Sequence, residues 1–121
     1  MTPLEIEWTR RILSSIKRYF NNQLYEVKAE IVDRSIIEKE EGIDAVVLVG
    51  EKIFGIQTKR PYGKGTGNYI LDSKQHSIIQ TKDWVYYAFP ENIPRSQFKN
   101  VLHRTKFSPG TFTFIRKVVI I

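Results

Sequence analysis

The stretch GIDAVVLVGEKIFGIQTK, residues 42–59, carries most of the information about the fold. Its apolar run from Ile43 to Val49 is typical of a central strand that is buried on both faces. Gly50-Glu51 predicts a turn, and Lys52 to Lys59 predicts the paired strand. One face of that strand carries Phe54, Ile56 and Thr58, and the other carries Gly55, Gln57 and Lys59.

Three polar side chains interrupt this apolar hairpin. Asp44 lies near the start of the first strand, and Gln57 and Lys59 lie near the end of the second. An antiparallel hairpin that turns at Gly50-Glu51 brings position 44 close to positions 57–59. Because such groups are costly in a sheet centre unless they are paired or hydrated, we expect them to meet at one end of the sheet.

This combination suits hydrolysis of a phosphodiester bond. Asp44 offers the hard oxygen that Mg²⁺ prefers, Gln57 adds a side-chain oxygen, and the carbonyl of Thr58 is a further candidate ligand. The metal would polarise the phosphate and activate a water molecule. Lys59 would position that water or stabilise charge in the transition state.

The rest of the chain predicts a mixed α/β domain around one sheet, in the order α-β-β-β-α-β-α-β. Arg60–Leu71 is rich in glycine and is predicted to be a mobile basic loop. Helices are predicted over Leu4–Phe20, from Asp72 or Ser73 to Thr81, and over Pro94–His103, and further strands over Leu24–Asp33, Trp84–Phe89 and Phe112–Ile121.

Composition narrows the class of protein. The 121 residues predict a single domain over residues 1–121. There is no cysteine, which excludes disulfides, and two histidines make a structural zinc site improbable. No apolar run has the length of a membrane helix, so no membrane association and a cytoplasmic location are expected. Residues 63–67 lack the spacing of a phosphate-binding loop, so no nucleotide cofactor is expected.

The net charge of +6 is distributed unevenly along the chain. Residues 1–58 carry 8 basic and 10 acidic side chains, a balance of −2, whereas residues 59–121 carry 11 basic and 3 acidic, a balance of +8. A basic half of this kind favours a polyanionic partner, although basic faces also serve solubility alone.

The polar motif resembles a known family. The pattern D-x(12)-Q-x-K resembles the PD-(D/E)XK nuclease superfamily, and residues 41–60 resemble the Mrr-type restriction endonuclease catalytic domain. The chain is also similar to archaeal Holliday-junction resolvases. The resemblance implies a restriction-endonuclease-like fold and a DNA endonuclease that uses Mg²⁺, with Mn²⁺ as a substitute. It implies that Asp44 and Gln57 are metal-site residues and that Lys59 is the catalytic lysine.

The chain departs from the superfamily pattern at two positions. Ile43 stands where proline is usual, and Gln57 replaces a carboxylate, which removes one negative charge. Members often add an acid from the first helix, and helical geometry favours Glu5 over Glu7 for this metal role. Glu5 instead completes a capping box with Thr2 in the alternative interpretation. In similar nucleases a polar residue at the position of Gln75 or His76 faces the site.

The predicted DNA contacts are basic side chains outside this motif, namely Arg60, Lys64, Lys74, Arg104 and Lys106. A homodimer is expected, because an enzyme of this size needs a partner to hold both strands of a duplex. The apolar segment Trp84–Phe89 is then either core or a dimer surface. Three alternatives remain open: a structure-selective, resolvase-like nuclease, a catalytically weak nucleic-acid-binding module of the same fold, and an adaptor that does not bind nucleic acid.

Overall fold

The computed structural model describes residues 5–22, 27–31, 43–62, 68–110 and 118–120. It is an α/β protein with two α-helices, α1 (Glu5–Asn22) and α2 (Ser73–Ile79), and a 3₁₀ helix at Arg95–Asn100 within these residues. The described strands are β1 (Val27–Ile31), β2 (Ala45–Val49), β3 (Lys52–Thr58), β4 (Tyr69–Leu71), β5 (Val85–Pro90), β6 (Thr105–Pro109) and β7 (Val118–Ile120).

The main sheet has five strands in the order β1-β2-β3-β5-β6. β3 and β5 are parallel, and the other neighbours are antiparallel. The hairpin of β2 and β3 is confirmed, and it turns at Gly50, whose φ of 59° suits a residue without a side chain. β3 and β5 therefore finish, and β2 and β6 begin, at one end of the sheet, here called the upper end.

Both faces of the main sheet are covered by apolar side chains. α1 packs on one face, where Trp8 and Ile12 are fully buried against Ala45, Val47 and Ile56. The apolar stripe of α1 is buried at Trp8, Ile12 and Ile16, whereas Tyr19 near its end is 49% exposed. The opposite face, here called the α2 face, carries a second cluster built from Ile43, Tyr69, Leu71, Ile79, Val85, Tyr87 and Phe89.

Three of these elements differ from the sequence predictions. The predicted loop Arg60–Leu71 ends in a strand, β4, which is stabilised by parallel pairing with the distant β7. The predicted helix Pro94–His103 is shorter and has 3₁₀ bonds, such as Gln97 N to Pro94 O at 2.9 Å. β6 was missed, because Lys106 and Pro109 are unusual in strands except at an edge. Of the two roles expected for Trp84–Phe89, the structure shows burial in the core: β5 lies between β3 and β6, and only Tyr86 of its residues is not fully buried.

The predicted final strand Phe112–Ile121 falls largely outside the described residues, and only Val118–Ile120 is observed as a strand there. Neither α-helix of the described part of the chain has the length and apolarity to cross a membrane.

Gly110 lies where the end of β6 meets the end of α2. A side chain at this position would collide with the side chain of Ile79, and its Cβ would lie 2.9 Å from the Ile79 carbonyl oxygen. The Gly110 amide donates to the carbonyl of Val85 at 3.0 Å, which fixes this contact to the main sheet. The absence of a side chain at Gly110 thus sets how closely α2 approaches the sheet.

Candidate active site

Asp44 lies at the upper end of the sheet, where the chain bends into β2. Its backbone amide donates to the carbonyl of Ile56 at 2.8 Å, although Ile56 already pairs with Ala45. Two residues therefore lie opposite one, the arrangement of a β-bulge, which re-aims a side chain. Asp44 is 9% exposed, and its Oδ2 accepts a hydrogen bond from Thr58 N at 2.9 Å.

This bond joins the start of β2 to the end of β3, so Asp44 lies beside the predicted segment 57–59. The N–H and C=O of one strand residue point toward the same neighbouring strand. Because the Thr58 N–H points at the Asp44 carboxylate, the Thr58 carbonyl projects to the same side. One carboxylate and one carbonyl oxygen therefore share this corner of the sheet.

Gln57 occupies a buried position on the α2 face. It is 2% exposed, and its register partner on β5 is Tyr87. The Gln57 Oε1 atom is inaccessible to water and has no hydrogen-bond partner among the described residues. An unsatisfied buried acceptor typically costs about 1–3 kcal/mol, which makes Gln57 Oε1 a candidate ligand atom.

Lys59 is half-buried beyond the end of β3 and points to the N-terminus of α2. Its backbone N donates to the carbonyl of Ala88 at 2.9 Å, and its Nζ donates to Gln75 Oε1 at 2.8 Å. Gln75 is itself held by the N-cap, because its amide donates to Asp72 Oδ1 at 2.9 Å. The cap of α2 thus positions the side chain that orients the Lys59 ammonium.

His76 follows Gln75 and reaches the sheet through Tyr87. The His76 Nδ1 and the Tyr87 hydroxyl lie 2.9 Å apart, and the ring centroids are 5.9 Å apart. Burial raises the pKa of the Tyr87 phenol and lowers the pKa of His76 below its ordinary value of 6.5. His76 is therefore half-buried and held against a buried phenol.

The metal role of Glu5 stays a prediction. Glu5 is the half-buried first residue of α1, and its carbonyl accepts a bond from Thr9 Oγ1 at 3.0 Å. The carboxylate of Glu7 instead forms an ion pair with Arg95 on the surface, which agrees with the preference for Glu5 over Glu7. Thr2, the alternative partner of Glu5, lies outside the described residues.

The five predicted DNA contacts have different surroundings. Lys74 and Lys106 are exposed, on α2 and β6 respectively, and Lys64 lies outside the described residues. The Arg60 guanidinium lies 5.4 Å from the centre of the Tyr62 ring, and Arg60 Nε is buried without a partner among the described residues. Arg104 donates from Nε to Glu91 Oε2 at 2.7 Å, which offsets part of its charge.

The donor set fits a hard divalent cation such as Mg²⁺. In the described part of the chain, no three histidine or acidic side chains cluster as a ready cage. Mg²⁺ is commonly held by one or two carboxylates, with water and substrate phosphate completing its shell. The Asp44 carboxylate, the Thr58 carbonyl and the unsatisfied Gln57 Oε1 supply oxygens of this kind.

Comparisons with protein-family models, with curated proteins and with solved structures gave no match to this chain.

Proposed function

We propose that this protein is a Mg²⁺-dependent nuclease that hydrolyses phosphodiester bonds in DNA, with a restriction-endonuclease-like arrangement of its sheet. The observation that carries the proposal is the bond from Thr58 N to the Asp44 carboxylate. It places a carboxylate next to a segment that holds both an unsatisfied buried amide oxygen and a lysine. The +8 balance of residues 59–121 supports a polyanionic substrate.

Each residue has a distinct task in this mechanism. Asp44 and Gln57 would hold the cation through their side-chain oxygens, and Thr58 through its carbonyl. When bound, Mg²⁺ polarises the phosphate and lowers the pKa of a water molecule. The Lys59 ammonium has three N–H donors, of which the bond to Gln75 uses one, so it can also donate to the attacking water or to a phosphate oxygen.

Cleavage assays with matched variants test this proposal. Asp44→Asn and Lys59→Ala should each reduce Mg²⁺-dependent cleavage by about 100-fold or more, because the first removes the charged ligand of the cation and the second removes the ammonium that stabilises the reacting phosphate. Asp83→Asn and Lys52→Ala are the controls, since both residues are exposed and Lys52 begins β3 at the lower end of the sheet. Cleavage that survives Asp44→Asn unchanged would contradict the metal site.

The substrate panel should contain linear duplex, single-stranded, flap and four-way-junction DNA, each with Mg²⁺ and with Mn²⁺. Preference for the junction would assign the protein to the resolvase-like, structure-selective class. The expected homodimer is tested on the same sample by light scattering, which should give twice the mass of the chain.

A binding module without catalysis is the second candidate, and one feature of the site favours it. Gln57 is neutral, so Asp44 supplies the only negative charge among the three site residues Asp44, Gln57 and Lys59. Salt-dependent DNA binding with no cleavage by any metal on any of the four DNA forms would establish this reading and overturn the nuclease. Affinity that does not fall with salt would point instead to an adaptor.

A further inference from the structure

A cationic groove lies between α1 and the 3₁₀ helix, away from the residues assigned above. It encloses about 400 Å³ and is lined by Glu7, Arg10, Arg11, Ser14, Arg95 and Phe98. Three guanidinium groups and one carboxylate give the groove a formal charge of +2. Guanidinium groups bind phosphate through paired N–H donors, so this lining suits an anion.

Two of the three arginines are held in place before any ligand arrives. Arg95 donates from Nε and Nη2 to the two oxygens of Glu7, at 2.5 and 2.6 Å. The Arg11 guanidinium lies 5.9 Å from the centre of the Phe98 ring, and Phe98 is only 6% exposed. A side chain that is already ordered loses less entropy on binding, so these contacts favour recognition of phosphate.

The groove lies at the same end of the sheet as the candidate active site. The 3₁₀ helix that carries Arg95 connects the end of β5 to the start of β6, and both of these points are at the upper end. β3 ends beside β5 there, where Lys59 N donates to Ala88 O. The groove is on the α1 face, whereas Gln57 and Lys59 are on the α2 face.

We propose that this groove is a second phosphate-binding site, which holds the backbone of the same nucleic acid that reaches the candidate active site. The inference rests on the proposed function, because it assumes a DNA substrate at the upper end of the sheet. A backbone in the groove anchors the DNA on the α1 face while cleavage takes place on the α2 face. The groove therefore contributes affinity and no chemistry.

Removal of Arg10 and Arg11 together tests the proposal, with Lys17→Ala/Arg18→Ala as the control. The control pair lies seven residues further along α1, which is about two helical turns, so it points in nearly the same direction but outside the groove. The probes are a labelled linear duplex and a labelled four-way junction in EDTA, titrated at several salt concentrations. Fluorescence anisotropy gives the Kd and its salt dependence.

We expect Arg10→Ala/Arg11→Ala to weaken binding about tenfold and to reduce the slope of log Kd against log salt by about 1 to 2. The control should change both quantities much less. Arg10→Lys/Arg11→Lys keeps both charges and should therefore keep the wild-type slope of log Kd against log salt. In cleavage assays with Mg²⁺ and increasing DNA concentration, the alanine variant should have a higher KM than wild type. Its kcat, reached at saturating DNA, should stay within about twofold of wild type.

The possible failures are distinguishable. If the groove pair and the control pair lose the same DNA affinity, or if neither loses any, the groove is not a phosphate-binding site. The proposed function would survive this result as long as the wild-type protein still binds and cleaves DNA. Wild-type protein that binds neither probe would overturn the proposed function and the groove together. If the double variant does not fold, Arg10→Ala alone decides the question, because Arg10 is exposed and the contact of Arg11 with Phe98 remains.

Discussion

Gln57 places a neutral amide where a carboxylate would have to be buried. At 2% exposure, an ionised side chain there would lose most of its hydration, and without a cation nearby this loss would destabilise the fold. An amide can coordinate through Oε1 without that cost, at the expense of weaker attraction for the ion. In the proposed metal site, the residue type at position 57 would thus balance stability without metal against affinity for metal.

Gln57→Glu should shift this balance in a measurable way. Without metal, the melting temperature should fall by about 5 °C or more, because a buried carboxyl group is left unpaired. With millimolar Mg²⁺ the difference from wild type should shrink, since ligand binding stabilises the folded state. The Mg²⁺ concentration for half-maximal cleavage should fall about tenfold. A gap in melting temperature that Mg²⁺ leaves unchanged would exclude residue 57 from the metal site.

At the scale of elements, the short helix α2 links backbone capping to the candidate chemistry. The Asp72 side chain caps the helix at the amide of Gln75, and the side chain of Gln75 meets Lys59. A helix of 7 residues has little stability of its own, so its position depends on this cap and on packing.

Asp72→Ala should therefore affect stability and cleavage together. Loss of an N-cap side chain costs about 1 kcal/mol, which urea denaturation can detect. Cleavage should also slow, because Gln75 loses its fixed position against Lys59. Asp83→Ala serves as the control, as Asp83 is exposed and lies after α2. An unchanged cleavage rate in a destabilised Asp72→Ala protein would show that the cap does not position Lys59.

The sequence predicted the elements whose signals are local. The hairpin of β2 and β3, helix α1 and the start of α2 at Asp72 or Ser73 all follow from periodicity or turn chemistry, and the structure confirms them, with Asp72 as the N-cap of α2. β4 and β6 carry no such signal. β4 is stabilised by pairing with β7, which is distant along the chain, and β6 is an edge strand that pairs with β5. Pairing energy of this kind depends on the tertiary structure and leaves no mark in a short window of residues.

The candidate site was predictable to the same extent. Asp44, Gln57 and Lys59 stand out because polar residues interrupt apolar strands. The partner of Lys59 and the tie between His76 and Tyr87 require the packing of α2 on the sheet, which no spacing reveals. The groove between Arg11 and Arg95 joins residues 84 positions apart, so it was equally invisible in the sequence.

At the scale of the whole molecule, one sheet separates two apolar clusters. The α1 face and the α2 face share the strands β2, β3 and β5, so the two clusters lie on opposite sides of the same backbone. A substitution that weakens the apolar cluster on one face should therefore also destabilise the shared strands that support the cluster on the other face. This arrangement supports the expectation of a single folding unit over residues 1–121.

Core truncations on opposite faces test that expectation. Ile12→Ala on the α1 face and Ile79→Ala on the α2 face remove fully buried side chains, and each should cost about 2–5 kcal/mol. Each variant should unfold in one urea transition, with tryptophan fluorescence and far-ultraviolet circular dichroism giving the same midpoint. Two separated transitions in either variant would show that the faces fold independently.

The close contact of Gly110 with Ile79 has a consequence for the history of this sequence. Shortening residue 79 would not make room for a side chain at 110, because the backbone carbonyl of Ile79 also lies 2.9 Å from the position of that Cβ. Any descendant with alanine there would have to lift α2 from β6, and Gln75 would move with it. Under the proposed function, selection on the position of Lys59 would therefore extend to Gly110, and orthologues should retain this glycine even where neighbouring surface positions diverge.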